Sequence, residues 1–247
     1  MKVYAGFFKD TLDLYPADAY VVVDVLRFST TISTALHLGV EEVIVYADFN
    51  EALRSAREFN VPLIAEVEGF KPESADLDNS PTEVLNHFAN SPPKRLVIRT
   101  TSGALIVEEA IRRKLEEVVI GAIVNAEAVA KYLSSRAVES VTIAMAGYRR
   151  SMFAIDDLLG AGAVITELAK VMGNLELMTD EAIVAHELYV KAVKEGRVEE
   201  LIKSGRAGRF LVETGRAHDV EYSSRPNILP EVPKLRSGTR SVISVHH

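Results

Sequence analysis

The chain has 247 residues, of which 48% are hydrophobic and 26% are charged, with a formal net charge of -7 and no cysteine. This composition supports a sizeable core and excludes disulfides, thiolate zinc sites and cysteine nucleophiles, while the negative charge disfavours non-specific nucleic-acid binding. No stretch approaches the roughly 18 apolar residues of a membrane span, and the first residues lack the apolar run of a signal peptide. We therefore expect a cytoplasmic protein with neither a membrane nor a nucleic-acid partner.

Short runs rich in β-branched residues alternate with helical patterns along the chain. Because each run is continuous in its apolar character, it is typical of a strand that is buried on both faces of a sheet. The predicted strands are residues 19–25, 42–47, 62–66, 95–99, 117–121 and 138–146. The intervening helices indicate repeated βαβ units, so the sequence predicts a three-layer α/β/α fold with a largely parallel or mixed sheet.

Helix-start signals follow several of these runs. Asn50, Asn125 and Thr179 are placed to cap helices, and Ser80 begins a capping box with proline at the first helical position.

The polar stretch 70–79 predicts a loop. Residues from about 203 to 247 are rich in basic residues, glycine and proline, which predicts a short helix pair followed by an irregular basic segment. No linker is long enough to force a second domain, so residues 1–247 are expected to form a single domain.

Small hydroxyl or glycine residues follow three of the predicted strands, within residues 26–31, 100–103 and 147–151. Backbone N–H groups at helix starts favour anions, and ligands of open α/β sheets bind beyond the carboxyl ends of the strands. Taken singly, each hydroxyl is better explained as a helix cap. Three such ends on one sheet edge, two of them with arginines, favour a phosphate or sulfonate pocket.

Acidic residues lie near the same strand ends. Asp24 lies inside an apolar run, where a carboxylate is costly unless it is paired or bound to a metal. Two interpretations of Asp24 therefore stay open: an ion pair with Arg27, or a role as magnesium ligand or nucleophile. Glu66 is placed similarly, and the adjacent Asp156 and Asp157 either complement a helix dipole or help to hold a hard cation.

Several motifs resemble, in chain order, those of the 2-phosphosulfolactate phosphatase family. Residues 24–32, Asp-Val-Leu-Arg-Phe-Ser-Thr-Thr-Ile, are similar to its opening Asp-Val-Leu-Arg-x-Ser/Thr-Thr-Thr motif. Residues 75–81, Ala-Asp-Leu-Asp-Asn-Ser-Pro, resemble Phe-Asp-Leu-Gly-Asn-Ser-Pro, and residues 100–104 resemble Thr-Thr-Asn-Gly-Thr. Residues 125–128 and 146–162 resemble the later Asn-x-x-Ala and Ala-Gly, Glu-Asp, Ala-Gly stretches.

The resemblance implies a magnesium-dependent phosphatase that hydrolyses 2-phospho-3-sulfolactate, a small anionic phosphoester, to 3-sulfolactate and phosphate in coenzyme M biosynthesis. Catalytic roles are expected for Asp24, Arg27 and Asp157, with Asp24 or a water molecule as the nucleophile. The expected magnesium ligands are Asp24, Glu66, Asp76, Asp156 and Asp157. The expected substrate-binding residues are Ser29, Thr30, Asn79, Ser80, Thr100, Thr101, Ser102, Gly103, Asn125 and Gly147.

The chain departs from the family motifs at four positions. Val67 stands where the family has an arginine, Asp78 replaces a glycine, Ser102 an asparagine and Ala104 a threonine. Two alternatives therefore stay open: a phosphatase for another small phosphorylated hydroxy acid, and a non-catalytic protein that binds an anionic metabolite. A homodimer is expected only because symmetric dimers are the commonest assembly.

Overall fold

The computed structural model describes residues 1–245. The strands in this part of the chain are β1 (Lys2–Phe7), β2 (Ala19–Val23), β3 (Glu42–Tyr46), β4 (Leu63–Ala65), β5 (Arg95–Arg99), β6 (Val118–Gly121), β7 (Ser140–Met145), β8 (Glu176–Leu177), β9 (Val232–Leu235) and β10 (Ser241–Val245). The helices are α1 (Thr11–Leu14), α2 (Phe28–His37), α3 (Phe49–Phe59), α4 (Pro81–Phe88), α5 (Gly103–Arg112), α6 (Ala126–Ser134), α7 (Ile155–Met172), α8 (Asp180–Lys194), α9 (Val198–Ser204), α10 (Arg206–Glu213) and α11 (Ala217–Ser223).

The strands form one mixed sheet in the order β4-β5-β3-β10-β9-β6-β2-β7-β1-β8. Two parallel blocks, β4-β5-β3 and β6-β2-β7-β1-β8, flank the antiparallel pair β9 and β10. Each neighbouring pair from β3 through β10 and β9 to β6 is antiparallel, so the two blocks run in opposite senses. The predicted mixed sheet is confirmed, but the expectation that all three polar strand ends share one sheet edge is wrong.

Helices cover both faces of the sheet. On β2, Val21 packs in a core cluster with Leu158 of α7, whereas the next residue, Val22, packs with Phe28 of α2 and Val107 of α5. Successive strand residues point to opposite faces, so a strand that is apolar throughout must be buried on both. The predicted three-layer α/β/α fold is confirmed. Among residues 1–245, no helix is both long and apolar enough to cross a membrane.

The six predicted strands correspond to β2–β7, with ends that differ by two residues or fewer. The sequence did not predict β1, β8, β9 or β10. The short helix pair predicted after residue 203 corresponds to α10 and α11, but the segment after it is not irregular throughout, because it contains β9 and β10. Positions 246 and 247 lie outside the described residues.

Two of the predicted helix caps have the expected hydrogen bonds. Ser80 caps α4 and Thr179 caps α8, each hydroxyl accepting a backbone N–H three residues later. The predicted cap at Asn50 is wrong. Asp48 caps α3 instead, because its carboxylate accepts the N–H of Glu51 at 2.8 Å.

Candidate active site

A cleft, with a volume of about 690 Å³ including the open solvent at its mouth, is lined by loops that follow β2, β4, β5 and β7. The first residues of α7 and part of α10 complete the lining. The predicted site residues that line it are Asp24, Arg27, Glu66, Asn79, Thr100, Thr101, Ser102, Gly147, Asp156 and Asp157. Residues that were not predicted also line it, among them Gly69, Tyr148, Arg149 and Phe210.

Helix α5 brings together strand ends from the two opposed blocks. It follows β5 but contacts both β3 and β2. The N–H of Gly103, in its first turn, therefore donates to Asp24 Oδ2 at 2.8 Å. A Cβ at position 103 would lie 2.8 Å from the same oxygen, so only glycine allows this approach. Gly103, predicted to bind substrate, instead holds the carboxylate of Asp24.

Three carboxylates are buried together at one side of the cleft. Asp24, Asp156 and Asp157, here called the acidic corner, are 7%, 2% and 2% exposed. Burial, with the charge of Asp156 next in effect, raises the pKa of Asp24 to about 7. Burial raises the pKa of Asp156 to about 6, and burial and the two neighbouring carboxylates raise the pKa of Asp157 well above its usual range. Within residues 1–245 none of the three forms a salt bridge, so their charge is uncompensated.

The two adjacent aspartates differ in what their oxygens contact. Asp157 Oδ1 accepts the N–H of Val25 at 2.9 Å and Oδ2 accepts the N–H of Gly147 at 2.8 Å. Asp157 thus joins the ends of β2 and β7. Asp156 Oδ1 is buried and has no hydrogen-bond partner in the described part of the chain, so it is free to accept from a ligand.

Glu66 ties two loops of the cleft together. Its Oε2 accepts the N–H of Gly69 at 2.8 Å, and its Oε1 accepts the N–H of Thr101. The buried guanidinium of Arg99 donates to the backbone carbonyl of Glu66 and to that of Ala47. Both carboxylate oxygens of Glu66 are therefore engaged by backbone, although Glu66 was predicted as a metal ligand.

Arg27 lies in a separate group of charges, here called the arginine corner: Arg27, Asp78, Arg216 and Asp219. Arg27 Nη1 donates to Asp78 Oδ2 at 2.8 Å and to Asp219 Oδ2 at 3.0 Å, and Nη2 donates to Asp78 Oδ1 at 3.2 Å. Burial alone would lower the pKa of Arg27, but the charges and hydrogen bonds of Asp78 and Asp219 raise it overall. Arg27 therefore pairs with Asp78 and Asp219 and not with Asp24, as one interpretation of the sequence had it.

Asp219 was missed by the sequence reasoning, although it is fully buried beside Arg27. It lies on the short helix α11, and no local sequence pattern marks it. The sequence analysis identifies Asp78 only as a departure from the family motif, whereas the structure pairs its carboxylate with two arginines.

Two predicted substrate-binding hydroxyls lie beneath the cleft. Ser29 Oγ accepts the N–H of Asp24 at 2.9 Å, and the Thr30 hydroxyl donates to the carbonyl of Val25 at 2.9 Å. Both side chains are fully buried. They shape the loop that carries Asp24, which corrects their predicted contact with substrate.

Three further candidates also lie outside the cleft lining. The Asn125 side chain is fully buried, accepts the N–H of Ala122 at 2.8 Å and donates to two backbone carbonyls. Asp76, predicted as a metal ligand, is exposed and accepts the N–H of Leu63 at 2.7 Å. Ser80 caps α4. The structure gives each of them a structural contact in place of the predicted ligand contact.

The acidic corner fits a magnesium ion held by few protein ligands. Among residues 1–245 no group of three or more His, Cys, Asp or Glu side chains is arranged to hold a metal. Magnesium, however, is commonly bound by one or two carboxylates, with water and substrate phosphate as the other ligands. Asp24 and Asp156 supply two hard oxygen donors, and the partnerless oxygen of Asp156 fits such an ion.

Comparison with known proteins points to one family. A family model described as 2-phosphosulpholactate phosphatase matches residues 9–238. A probable 2-phosphosulfolactate phosphatase of Carboxydothermus hydrogenoformans is 33% identical, over 95% of this chain and 93% of its own. Proteins of the same name from Thermotoga petrophila and Clostridium tetani are 34% and 33% identical, each over 88% of this chain and 89% of its own. The chain belongs to the 2-phosphosulfolactate phosphatase family.

Proposed function

We propose that this protein is a magnesium-dependent phosphatase that hydrolyses 2-phospho-3-sulfolactate to 3-sulfolactate and phosphate, as a step of coenzyme M biosynthesis. Its family is one of phosphoric monoester hydrolases, which supports the reaction class. The observation that carries the proposal is the acidic corner, where three buried carboxylates share a cleft without a compensating cation. Such a group has to be neutralised by protons or by a bound cation, and a phosphate oxygen can complete the coordination of such a cation.

Asp24 and Asp156 are the residues that we expect to hold magnesium. When bound, the ion supplies a Lewis acid that polarises a phosphoryl oxygen. Asp157 acts differently, since its two backbone hydrogen bonds hold the ends of β2 and β7 at the spacing that the site requires. Glu66 likewise holds the loop of Thr101 against the loop of Gly69.

Cationic and neutral donors in the cleft suit the oxygens of an anionic substrate. Arg27, Asn79, Thr101 and Ser102 line the same cleft as the acidic corner. Charge-assisted and hydroxyl donors of this kind stabilise the charge that develops on the phosphoryl oxygens. Arg149, which is exposed and lines the same cleft, supplies a cation for a second anionic group of the substrate.

Release of inorganic phosphate tests the proposal. The wild-type protein is incubated with 2-phospho-3-sulfolactate in the presence of magnesium and, separately, of a chelator. We expect release that depends on magnesium and that is faster than from other phosphorylated hydroxy acids. Release that persists in chelator would contradict the magnesium dependence, and no release from any phosphoester would contradict the phosphatase assignment.

A second candidate substrate class is another small phosphorylated hydroxy acid. The observation that favours it is that Ser102, one of the departures from the family motifs, lines the cleft and so lies where it could contact a substrate. Replacing an asparagine by serine shortens the side chain and removes an amide donor. Faster phosphate release from another phosphorylated hydroxy acid than from 2-phospho-3-sulfolactate would support this candidate and contradict the first.

A further inference from the structure

We propose that Asp78 and Asp219 are positioning residues for Arg27, and that they determine which edge of its guanidinium meets the phosphoryl group. The inference rests on the proposed function, because it takes Arg27 to contact the substrate. Arg27 is only 4% exposed, yet it lines the cleft. Its orientation is therefore set by the protein rather than by solvent.

The two carboxylates occupy one side of the guanidinium. Asp78 binds Nη1 and Nη2 through its two oxygens, at 2.8 and 3.2 Å, in an end-on fork. Asp219 accepts the remaining hydrogen of Nη1 at 3.0 Å. Among residues 1–245 the Nε–H of Arg27 has no partner, and neither has the second hydrogen of Nη2. In a planar guanidinium these two hydrogens point along one edge, which matches two oxygens of a phosphoryl group.

Asp78 is itself held from several sides. Its Oδ2 accepts from Arg216 Nη1 at 3.0 Å, and its Oδ1 accepts the N–H of Asn79 at 2.8 Å. The guanidinium of Arg216 lies 5.5 Å from the ring centre of Phe70 and 5.2 Å from that of Phe210, which lines the cleft. These contacts leave Asp78 little freedom, so it transmits a fixed orientation to Arg27.

Asp219 is held by the start of α4. Its Oδ1 accepts the hydroxyls of Ser80 and Thr82, each at 2.6 Å, while Oδ2 faces Arg27. The arginine corner pairs two guanidinium groups with two carboxylates, so its formal charges balance. Each acid therefore cancels the charge of one arginine in addition to orienting Arg27. Asp78 stands where the family motif has a glycine, so one of the two carboxylates that orient Arg27 is a departure from that motif.

A double-mutant cycle on kcat and KM tests the assignment. Asp78→Asn keeps the shape of the side chain but replaces one acceptor oxygen by a donor. We expect kcat to fall about tenfold, with KM changed less than about threefold, because the lost alignment matters most in the transition state. In an Arg27→Lys background, which keeps the charge but lacks the fork, Asp78→Asn should lower kcat by less than about threefold. Asp219→Asn should repeat both results.

Glu73→Gln is the matched control, since it neutralises an exposed carboxylate in the same loop and should leave kcat unchanged. Thermal unfolding checks that every variant is folded. An equal loss of kcat in the wild-type and Arg27→Lys backgrounds would show a structural role and overturn the inference. Unchanged kcat in folded Asp78→Asn and Asp219→Asn would overturn it too. Failure of the proposed function is distinct, because the wild type itself would then release no phosphate.

Discussion

The acidic corner and the arginine corner share one cleft, but they differ in how their buried charge is compensated. In the acidic corner no salt bridge is made within residues 1–245, and the pKa values of all three carboxylates are raised. In the arginine corner each buried carboxylate accepts from a guanidinium. Buried charge that lacks a partner depends on protons or on a bound cation, whereas a paired group does not.

This difference separates two kinds of residue in the site. The acidic corner should respond strongly to pH and to magnesium, because its charge has to be compensated from outside the protein. The arginine corner should not respond to magnesium, because its carboxylates are already paired with guanidinium groups.

Asp24→Asn should lower turnover by about a thousandfold or more, because it removes a proposed magnesium ligand and candidate nucleophile. The variant should still fold, since it removes an uncompensated buried charge. Phosphate release and thermal unfolding, measured on the same preparation, check both statements. Turnover within tenfold of the wild type would show that Asp24 is neither the nucleophile nor a required magnesium ligand.

The metal-free protein should become less stable as pH rises from about 5 to about 8. The pKa of Asp24 is raised from 3.8 to about 7 and that of Asp156 from 3.8 to about 6, so between these values the folded state binds more protons than the unfolded state. The unfolding free energy therefore falls as pH rises through this window. We expect Tm to drop by roughly 5 to 10 °C in chelator, and magnesium to reverse the drop at pH 8.

Thermal unfolding in chelator and in magnesium across this pH range measures the effect, with Asp24→Asn as the control that should flatten the curve. A Tm in chelator that rises with pH over the same range would contradict the uncompensated charge of the acidic corner.

Asn125→Ala should lower stability without lowering kcat/KM. The side chain accepts one backbone N–H and donates to two backbone carbonyls inside the protein, so its removal leaves buried groups unpaired. We expect a loss of about 2 kcal/mol in the free energy of unfolding. Urea unfolding and steady-state kinetics below the transition measure the two quantities. A large loss of kcat/KM in the folded variant would show that Asn125 takes part in substrate binding.

Asp76→Asn should change kcat/KM by less than about twofold, since the carboxylate is exposed and outside the cleft lining. The assay is phosphate release at saturating and at limiting magnesium. An increased magnesium requirement would mean that Asp76 is a ligand after all.

The sequence predicts the central strands well because burial on both faces leaves a continuous apolar run, as in β2 and β5. It does not predict β9 and β10, whose partners β6 and β3 are far away in the chain. Pairing of that kind depends on tertiary contacts rather than on local pattern. The antiparallel pair also reverses one block of the sheet, which no local signal could reveal.

The cleft residues at the strand ends were predicted from a shared sheet edge that the fold does not have. Asp24 and Thr101 do line one cleft, but α5, rather than a shared sheet edge, brings the two loops together. Ser29 and Asn125 were predicted to contact substrate, but both form their hydrogen bonds with backbone groups inside the protein. Asp219 could not be found, since a buried carboxylate on a short helix has no sequence signature.

In the proposed mechanism the acidic corner holds magnesium through Asp24 and Asp156. Calorimetric titration of magnesium into chelator-treated protein at pH 8 tests it most directly, with wild type, Asp156→Asn and the control Asp180→Asn, which neutralises an exposed carboxylate at the start of α8. We expect magnesium to bind to the wild type and the control, and to bind at least about tenfold more weakly to Asp156→Asn. Equal affinity in all three proteins, or no binding to the wild type, would contradict it.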